Sequence, residues 1–388
     1  MSGGLIDGAP IPQGNSRQRQ RLRLLLVSVA AFLLVVALAL CGMYLKLTNN
    51  LRHFEVTKAD LGNRRPAKAS PDALNILIVG SDQQTAALAN PGERSDVIML
   101  AHLSADRAEM NVISFPRDLL VPLPVCSSRD GLPGQRAHLG MINSSFTFGG
   151  IGCTWKTVES LTGIQIDHVV KVDFAGFRTM VDAIGGVQIC IPEPINDKLA
   201  GLNLSAGCQT LKGEEALGYV RARYSLGDGT DIGRIHRQHE FFSAMAHKVL
   251  GEELTSPVRL FSFMNAATKS VMTDPGFNPG VMRTLAFAVQ HLSSDKIHFI
   301  TTPWHYSIAS PGRVEWVERP AKRLFRSIAA DQSLMGSEFI RIAPPEPGDV
   351  ETKPCSAGRL GHCAELSQAD TTRPGAEGSS HADGRNIP

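Results

Sequence analysis

Net charge is what this sequence has least of: Lys+Arg number 39 against Asp+Glu 37, a formal balance of +2. Without a basic stripe there is no field to wrap a nucleic acid, so none is expected as a partner and any anion site must be local. No GxxxxGK[ST] loop occurs, which removes ordinary nucleoside triphosphate chemistry. GxSxG and HExxH are missing too, and with them the nucleophile elbow and the zinc-protease helix. No CxxC pair or Cys/His cluster has zinc spacing. No internal repeat is present.

What is there begins with one apolar run. Residues 24–45, LLLVSVAAFLLVVALALCGMYL, carry no charge. As a helix they would reach about 33 Å, enough for a bilayer core. Arg17, Arg19, Arg21 and Arg23 precede the run, and Lys46, Arg52, Lys58, Arg64 and Arg65 follow it. The denser first cluster favours a cytoplasmic tail over 1–23, a transmembrane anchor over 24–45 and the remainder outside the cell membrane. The run is longer than the apolar part of a cleaved signal peptide. Leu40 before Cys41 is also too large for a lipoprotein cleavage site.

Outside the span lie six cysteines, an even number that suits an oxidising compartment. Sequence neighbours suggest Cys126–Cys153, Cys190–Cys208 and Cys355–Cys363, among fifteen possible pairings.

The hydrophobic content of 43% supports a sizeable core. A stalk is expected over 46–71, one α/β domain over 72–342, and a low-complexity tail over 343–388, rich in Pro, Gly, Ser and charge. LNILIVG (74–80), SDVIMLAHL (95–103) and EMNVISF (109–115) read as strands. DHVVKVD (167–173) and GVQICI (186–191) flank a helical FAGFRTMVDAIG, a strand–helix–strand pattern that favours a sheet with buried strands. Further helices are expected from Asp231 to about Leu250 and over 257–270, 279–291 and 314–330, with a late strand over 295–303.

The polar residues cluster at the ends of these strands. VGSD places Asp82 directly after one strand, ERSD places Arg94 and Asp96 before the next, and SFPRD places Arg117 and Asp118 after the third. Ligands of open α/β sheets gather at such ends. RARYSLGDGTDIGRIHRQ (221–238) then gathers Arg221, Arg223, Arg234 and Arg237 with Asp231 and Gln238. If Asp231 opens a helix, Asp231, Arg234 and Gln238 share one face, and guanidinium forks beside a helix start suit phosphate. Two carboxylates nearby would suit a divalent metal bridging a polyphosphate. An exposed, salt-bridged helix end and a structural ion-pair network remain alternative readings.

Taken in order, NILIVGSD, RSDVIML, ISFPRD, MINSSFTFGG, VDFAGFRTMVDAIGGVQICIPEP and LKGEEALGYVRARYSLGDGTDIGRIHRQ resemble the LytR–CpsA–Psr (LCP) family over about 76–250. The extra cysteines are similar to those of an actinobacterial-type member. The resemblance implies a three-layer α-β-α sandwich with a mixed central sheet, preceded by one transmembrane helix. It implies a phosphotransferase that moves a glycopolymer from a polyprenyl diphosphate carrier to peptidoglycan, leaving a phosphodiester link. Asp82 and Asp96 resemble the family's ligands for Mg²⁺ (or Mn²⁺), and Arg117 its phosphate-neutralising arginine. Arg221, Arg223, Arg234, Asp231 and Gln238 match its diphosphate-binding set. Asp82 and Asp118 are the candidates to take the acceptor's proton. A polyprenyl chain asks for an apolar tunnel, with Phe146, Phe148, Phe174 and Phe177 as candidate lining. The alternatives are a hydrolase of the same lipid and a non-catalytic lipid-binding or regulatory protein of the envelope. A helix-turn-helix is missing from the short N-terminal tail, which argues against direct control of DNA.

Overall fold

LNILIVGS alternates its side chains between two apolar environments, as a strand covered on both faces must. The computed structural model describes residues 16–82, 94–129, 131–198, 200–222, 231–253, 257–278, 280–282, 284–285, 288 and 292–341. Arg223, Cys355, Cys363, residues 1–15 and the tail over 343–388 lie outside the described residues, as does part of the helix expected over 279–291; residues 16–23 of the expected N-terminal tail open helix α1.

Helix α1 runs over Ser16–Asn50, followed by β1 (Arg52–His53) and the short α2 (Lys58–Leu61). Strands β2 (Leu74–Ser81), β3 (Ser95–Leu103) and β4 (Met110–Phe115) come next, then β5 (Leu120–Leu123) and β6 (His138–Met141). Helix α3 (Ser144–Thr162), β7 (His168–Asp173) and α4 (Phe174–Ala183) precede four short strands. These are β8 (Val187–Ile191), β9 (Ile195–Asp197), β10 (Leu202–Leu204) and β11 (Gly207–Leu211). Helices α5 (Gly213–Arg221), α6 (Asp231–Lys248) and α7 (Pro257–Ser270) lead to β12 (Val271–Thr273), β13 (Ile297–Thr301), β14 (Trp304–Tyr306) and β15 (Val314–Trp316). Helices α8 (Glu318–Ala329) and α9 (Glu338–Arg341) follow.

The central sheet has seven strands in the order β1-β12-β7-β2-β3-β4-β13. It is mixed: β2 pairs antiparallel with β3 and parallel with β7, and β4 pairs parallel with β13. One face buries Leu77, Val79, Ile98, Leu100, Ile113 and Phe115 against α3 and α8, through Phe146, Trp155, Val158, Leu324 and Phe325. The other face buries Ile76, Met99, Ala101 and Val112 with Phe277 and the partly buried Phe242, Val281 and Leu285. Each large side chain fully removed from water contributes roughly 1.5–3 kcal/mol.

Three expectations need correction. First, 186–191 does not join the central sheet. Both sides of β7 are already taken, by β12 and β2. Gly185 and Gly186, at φ 75° and 91°, turn the chain away, and β8 pairs instead with β11. Cys190 and Cys208 face each other in that ladder and are joined by a disulfide; Cys126 and Cys153 form a second. Second, VEW at 314–316 is a strand paired with Trp304–Tyr306, so the late helix starts only at Glu318. Its Pro320 lies in the first turn, where no amide donor is required.

Third, the stretch expected as a stalk is part of the domain. Only Leu51 separates α1 from β1, which is the edge strand of the sheet. Phe54 is 7% exposed within the main core. Arg65 Nη2 donates to the buried Glu159 Oε1 at 2.6 Å, and Lys68 Nζ to Asp167 Oδ1 at 2.7 Å. Phe54→Ala is therefore expected to cost about 3 kcal/mol or more. The readout is the denaturation midpoint of the full-length protein in detergent; for a residue in a free stalk that midpoint would not move.

Candidate active site

Strand directions decide where the polar residues meet. Strands β2 and β4 both run antiparallel to β3, so the end of β2, the start of β3 and the end of β4 coincide at one end of the sheet. Asp82, Asp96 and Arg117–Asp118 all lie there. The register shifts between Gly80 and Ser81, leaving Asp96 between the paired Ser95 and Val97 in a β-bulge. Such bulges re-aim a side chain. Pro116 ends the β4 ladder, and Arg117 follows it.

The first turn of α6 completes the group. Arg117 Nη1 donates to Asp96 Oδ1 at 2.5 Å, and Arg117 Nε lies 3.3 Å from Asp231 Oδ1. Arg234 Nη2 is 2.6 Å from Asp231 Oδ1, and Arg234 Nη1 is 3.7 Å from Asp96 Oδ1. Two guanidiniums and two carboxylates thus alternate around a closed ring. Backbone bonds lock it: Arg117 N–H donates to Asp231 Oδ2 at 3.2 Å, and Arg234 Nη2 to the Asp96 carbonyl at 3.0 Å. The Nε atoms of Arg234 and Arg237 are buried and have no hydrogen-bond partner among the described residues.

Burial alone would lower the Arg117 pKa, but Asp231, Asp96 and Asp118 together hold it above the ordinary guanidinium value. Arg234 is deeper. Burial, with Arg117 adding to it, carries its pKa below the ordinary value against the pull of Asp231 and Asp96. The ring therefore keeps Arg117 firmly cationic.

The remaining expected residues separate by role. Asp118 is 6% exposed, 4.0 Å from Arg117 Nε and 3.3 Å from Arg313 Nη1. Asp82 is half-buried, and its Oδ1 accepts the Arg94 N–H at 2.8 Å. Arg221 is exposed, its guanidinium 4.4 Å above the Phe174 ring, and so stands apart from the ring of four. Gln238 is buried, and its Nε2 donates to the Val220 carbonyl at 3.0 Å, tying α6 to α5. The four candidate tunnel phenylalanines do not share a wall. Phe146 is in the main core, Phe148 is exposed, Phe174 lies under Arg221, and Phe177 packs on Phe241 and Phe242.

Arg313 was not foreseen. It comes from the β14–β15 hairpin, whose Val314 bridges to Leu119, and no local pattern announces that it returns to Asp118. The membrane-type helix also arrives at this end. Strand β1 is parallel to β12 and β12 antiparallel to β7, so β1 starts, and α1 finishes, level with the end of β2. By length and composition α1 is a candidate membrane span over Gln20–Asn50.

The LytR_cpsA_psr family model matches residues 43–321. The chain belongs to the LytR–CpsA–Psr family. It is 35% identical over 235 residues to the probable cell wall biosynthesis protein LcpB of Corynebacterium glutamicum, covering 57% of this chain and 53% of that protein. It is 30% identical over 307 residues to LcpA of the same organism, covering 70% and 58%. The chain thus spans little more than half the length of these curated relatives. A polyisoprenyl-teichoic acid–peptidoglycan teichoic acid transferase, TagU of Enterococcus faecalis, is 27% identical over 63% of this chain and 77% of its own. Among solved structures, a LytR-Csp2A-Psr enzyme from Actinomyces oris superposes with a TM-score of 0.56 at 23% identity, over 72% of this chain and 96% of that one. TagT bound to LIIa-WTA superposes at 0.53 with 21% identity, over 72% and 99%. The LCP fold of the chain is thus shared with both.

Behind the ring, His239 of α6 packs on Phe299, and its Nε2 meets Ser114 Oγ at 2.8 Å. Burial first, and His236 second, push its pKa down to about 4 from 6.5. The folded protein then binds fewer protons here than the unfolded chain between these values. Stability should be fully present above pH 6.5 and fall as pH drops towards 4, by up to about 1.4 kcal/mol per pH unit. Denaturant unfolding of His239→Gln across pH 7 to 4 should show a shallower loss than the wild type; parallel curves would contradict this.

Proposed function

We propose that this chain is a membrane-anchored phosphotransferase, moving a glycopolymer from a polyprenyl diphosphate carrier to peptidoglycan. One observation carries the reading: the ring of guanidiniums and the end of the apolar helix occupy the same end of the sheet. A diphosphate attached to a membrane-embedded polyprenyl chain would be presented there. The names of the TagU relatives and of the TagT complex support the same substrate class.

In this reading α1 crosses the cell membrane once, with its N-terminus in the cytoplasm and the domain outside. The arginines preceding the span and the two disulfides support that orientation. Arg117 and Arg234 sit beside the diphosphate, and Arg221 extends the cationic wall. Asp231 holds both ring arginines in place before substrate arrives, so little reorganisation accompanies charge development. Gln238 positions the last turn of α5, from which Arg221 projects.

The acceptor hydroxyl attacks the phosphorus that carries the glycopolymer. A new oxygen–phosphorus bond forms, the bridging phosphorus–oxygen bond breaks, and polyprenyl phosphate leaves. The hydroxyl's proton passes to Asp82, the more open of the two candidate carboxylates. Asp118, buried between Arg117 and Arg313, keeps Arg117 oriented. Among the described residues no three acidic, His or Cys side chains group as a metal cage. The carboxylates therefore fit a Mg²⁺ (or Mn²⁺) ion only as one held jointly with phosphate oxygens, as Mg²⁺ commonly is. Asp82 and Asp96 would hold it, and when bound it would neutralise charge on the leaving phosphate.

Arg117→Ala should lower transfer at least a hundredfold in an assay with lipid-linked polymer and peptidoglycan fragments. Arg117→Lys, a point charge without the planar fork, should recover only part of it. Full activity in the alanine variant would refute the site. Polymer released just as fast with the acceptor omitted would mark a hydrolase instead.

A further inference from the structure

Where α1 meets the sheet there is a second cationic site. A cavity of about 300 Å³ is lined by Arg52, Lys171, Asp173, Gly176, Thr179 and Lys269, among others. Among the described residues the lining carries three cations and one carboxylate; Lys171 Nζ also lies 5.5 Å from the Phe146 ring centroid, and Asp173 Oδ1 accepts the Gly176 N–H at 2.7 Å as the cap of α4. The cations are placed by register. Arg52, Met272 and Lys171 are successive cross-strand partners on β1, β12 and β7, so they share one face of the sheet. Lys171 is 7% exposed, an uncommon burial for an ammonium group. Lys269 joins from the last turn of α7, and both it and Arg52 are exposed at the rim. Gly176 makes room by close approach: a Cβ there would lie 2.3 Å from the Ser270 carbonyl oxygen.

The position of this cavity relative to α1 is fixed. Asn50 Nδ2 donates to Asn265 Oδ1 and Thr268 Oγ1, each at 3.1 Å, and Lys46 Nζ lies 5.9 Å from the Phe261 ring centroid. These contacts clamp the last turns of α1 to α7. Arg52 therefore stands two residues beyond the helix end and seven beyond the apolar run over 24–45. Lys171 on β7 lies three strands from β4, about 14 Å at ordinary strand spacing, and two strands from β3, which carries Asp96.

We propose that this cavity binds the phosphate of a membrane phospholipid headgroup, held by Arg52, Lys171 and Lys269, and so sets the domain's seat on the bilayer. The inference rests on α1 being a membrane span, but not on the transfer reaction. Charge complementarity supplies the attraction, strongest within a Debye length of the surface.

The test uses the full-length protein, delipidated in mild detergent, and calorimetric titration with dihexanoyl phosphatidylglycerol, dihexanoylglycerol and inorganic phosphate. One equivalent of phosphatidylglycerol should bind, and dihexanoylglycerol should not. The double variant Arg52→Gln/Lys269→Gln should bind at least tenfold more weakly, as should Thr179→Asp, which puts a carboxylate on the wall. Arg117→Ala should bind like the wild type. Equal binding by dihexanoylglycerol, or unchanged affinity in both pocket variants with wild-type unfolding midpoints, would overturn the proposal. Inorganic phosphate binding as tightly as the lipid would reassign the cavity to a soluble phosphate and overturn its lipid role. Wild-type protein that does not enter liposomes would instead remove the membrane reading beneath it, a distinct result.

Discussion

The structure is organised around one electrostatic constraint: two guanidiniums taken largely out of water must be held by carboxylates that are themselves largely out of water. Arg234 and Asp231 are both 4% exposed, so neither charge can stand alone. Losing one member of the ring strands another. The closed alternation of Arg117, Asp231, Arg234 and Asp96 solves this with residues from a bulge, a strand end and a helix start. Three elements distant in sequence are consequently fixed to one another at the end of the sheet. The fold holds a charged site in place before any ligand reaches it.

Around that ring the two apolar faces of the sheet do ordinary work. They fix the strand ends, and the strand ends carry the charges. The α4–α6 side adds a small separate core in which the Cys190–Cys208 link backs the strand pair behind α5 and α6. Arg221 stands on that side, and its stacking on Phe174 couples the α5 end to the start of α4.

Much of this was legible in the residues. SDVIMLAHL is strand β3 with the bounds its apolar run implies, and LNILIVG falls one residue short of β2. The grouping of Asp96, Arg117, Asp118, Asp231 and Arg234 followed from strand-end and helix-face arguments. Other features were not legible, for physical reasons. GVQICI has the composition of a central strand, but which strand it pairs with depends on whether β7 has a free edge, a property of the whole sheet. Gln238 shares a helix face with Arg234, yet a backbone carbonyl takes its amide. Arg313 reaches Asp118 through a hairpin 195 residues further on, and such closure leaves no local periodicity. The stretch after the apolar run looked like a tether because it is polar and rich in Lys and Arg. Its one aromatic, Phe54, gives no warning that it is a core residue.

An anchor followed by a flexible tether lets its domain sweep a wide shell above the membrane. Here the helix passes almost directly into an edge strand, so on the proposed reading the enzyme is a short mast and not a kite. Its height above the lipid is set by covalent geometry, and its working radius is close to its own width. Any strand of wall material it modifies must come down to it, which would confine attachment to the layer of wall nearest the bilayer.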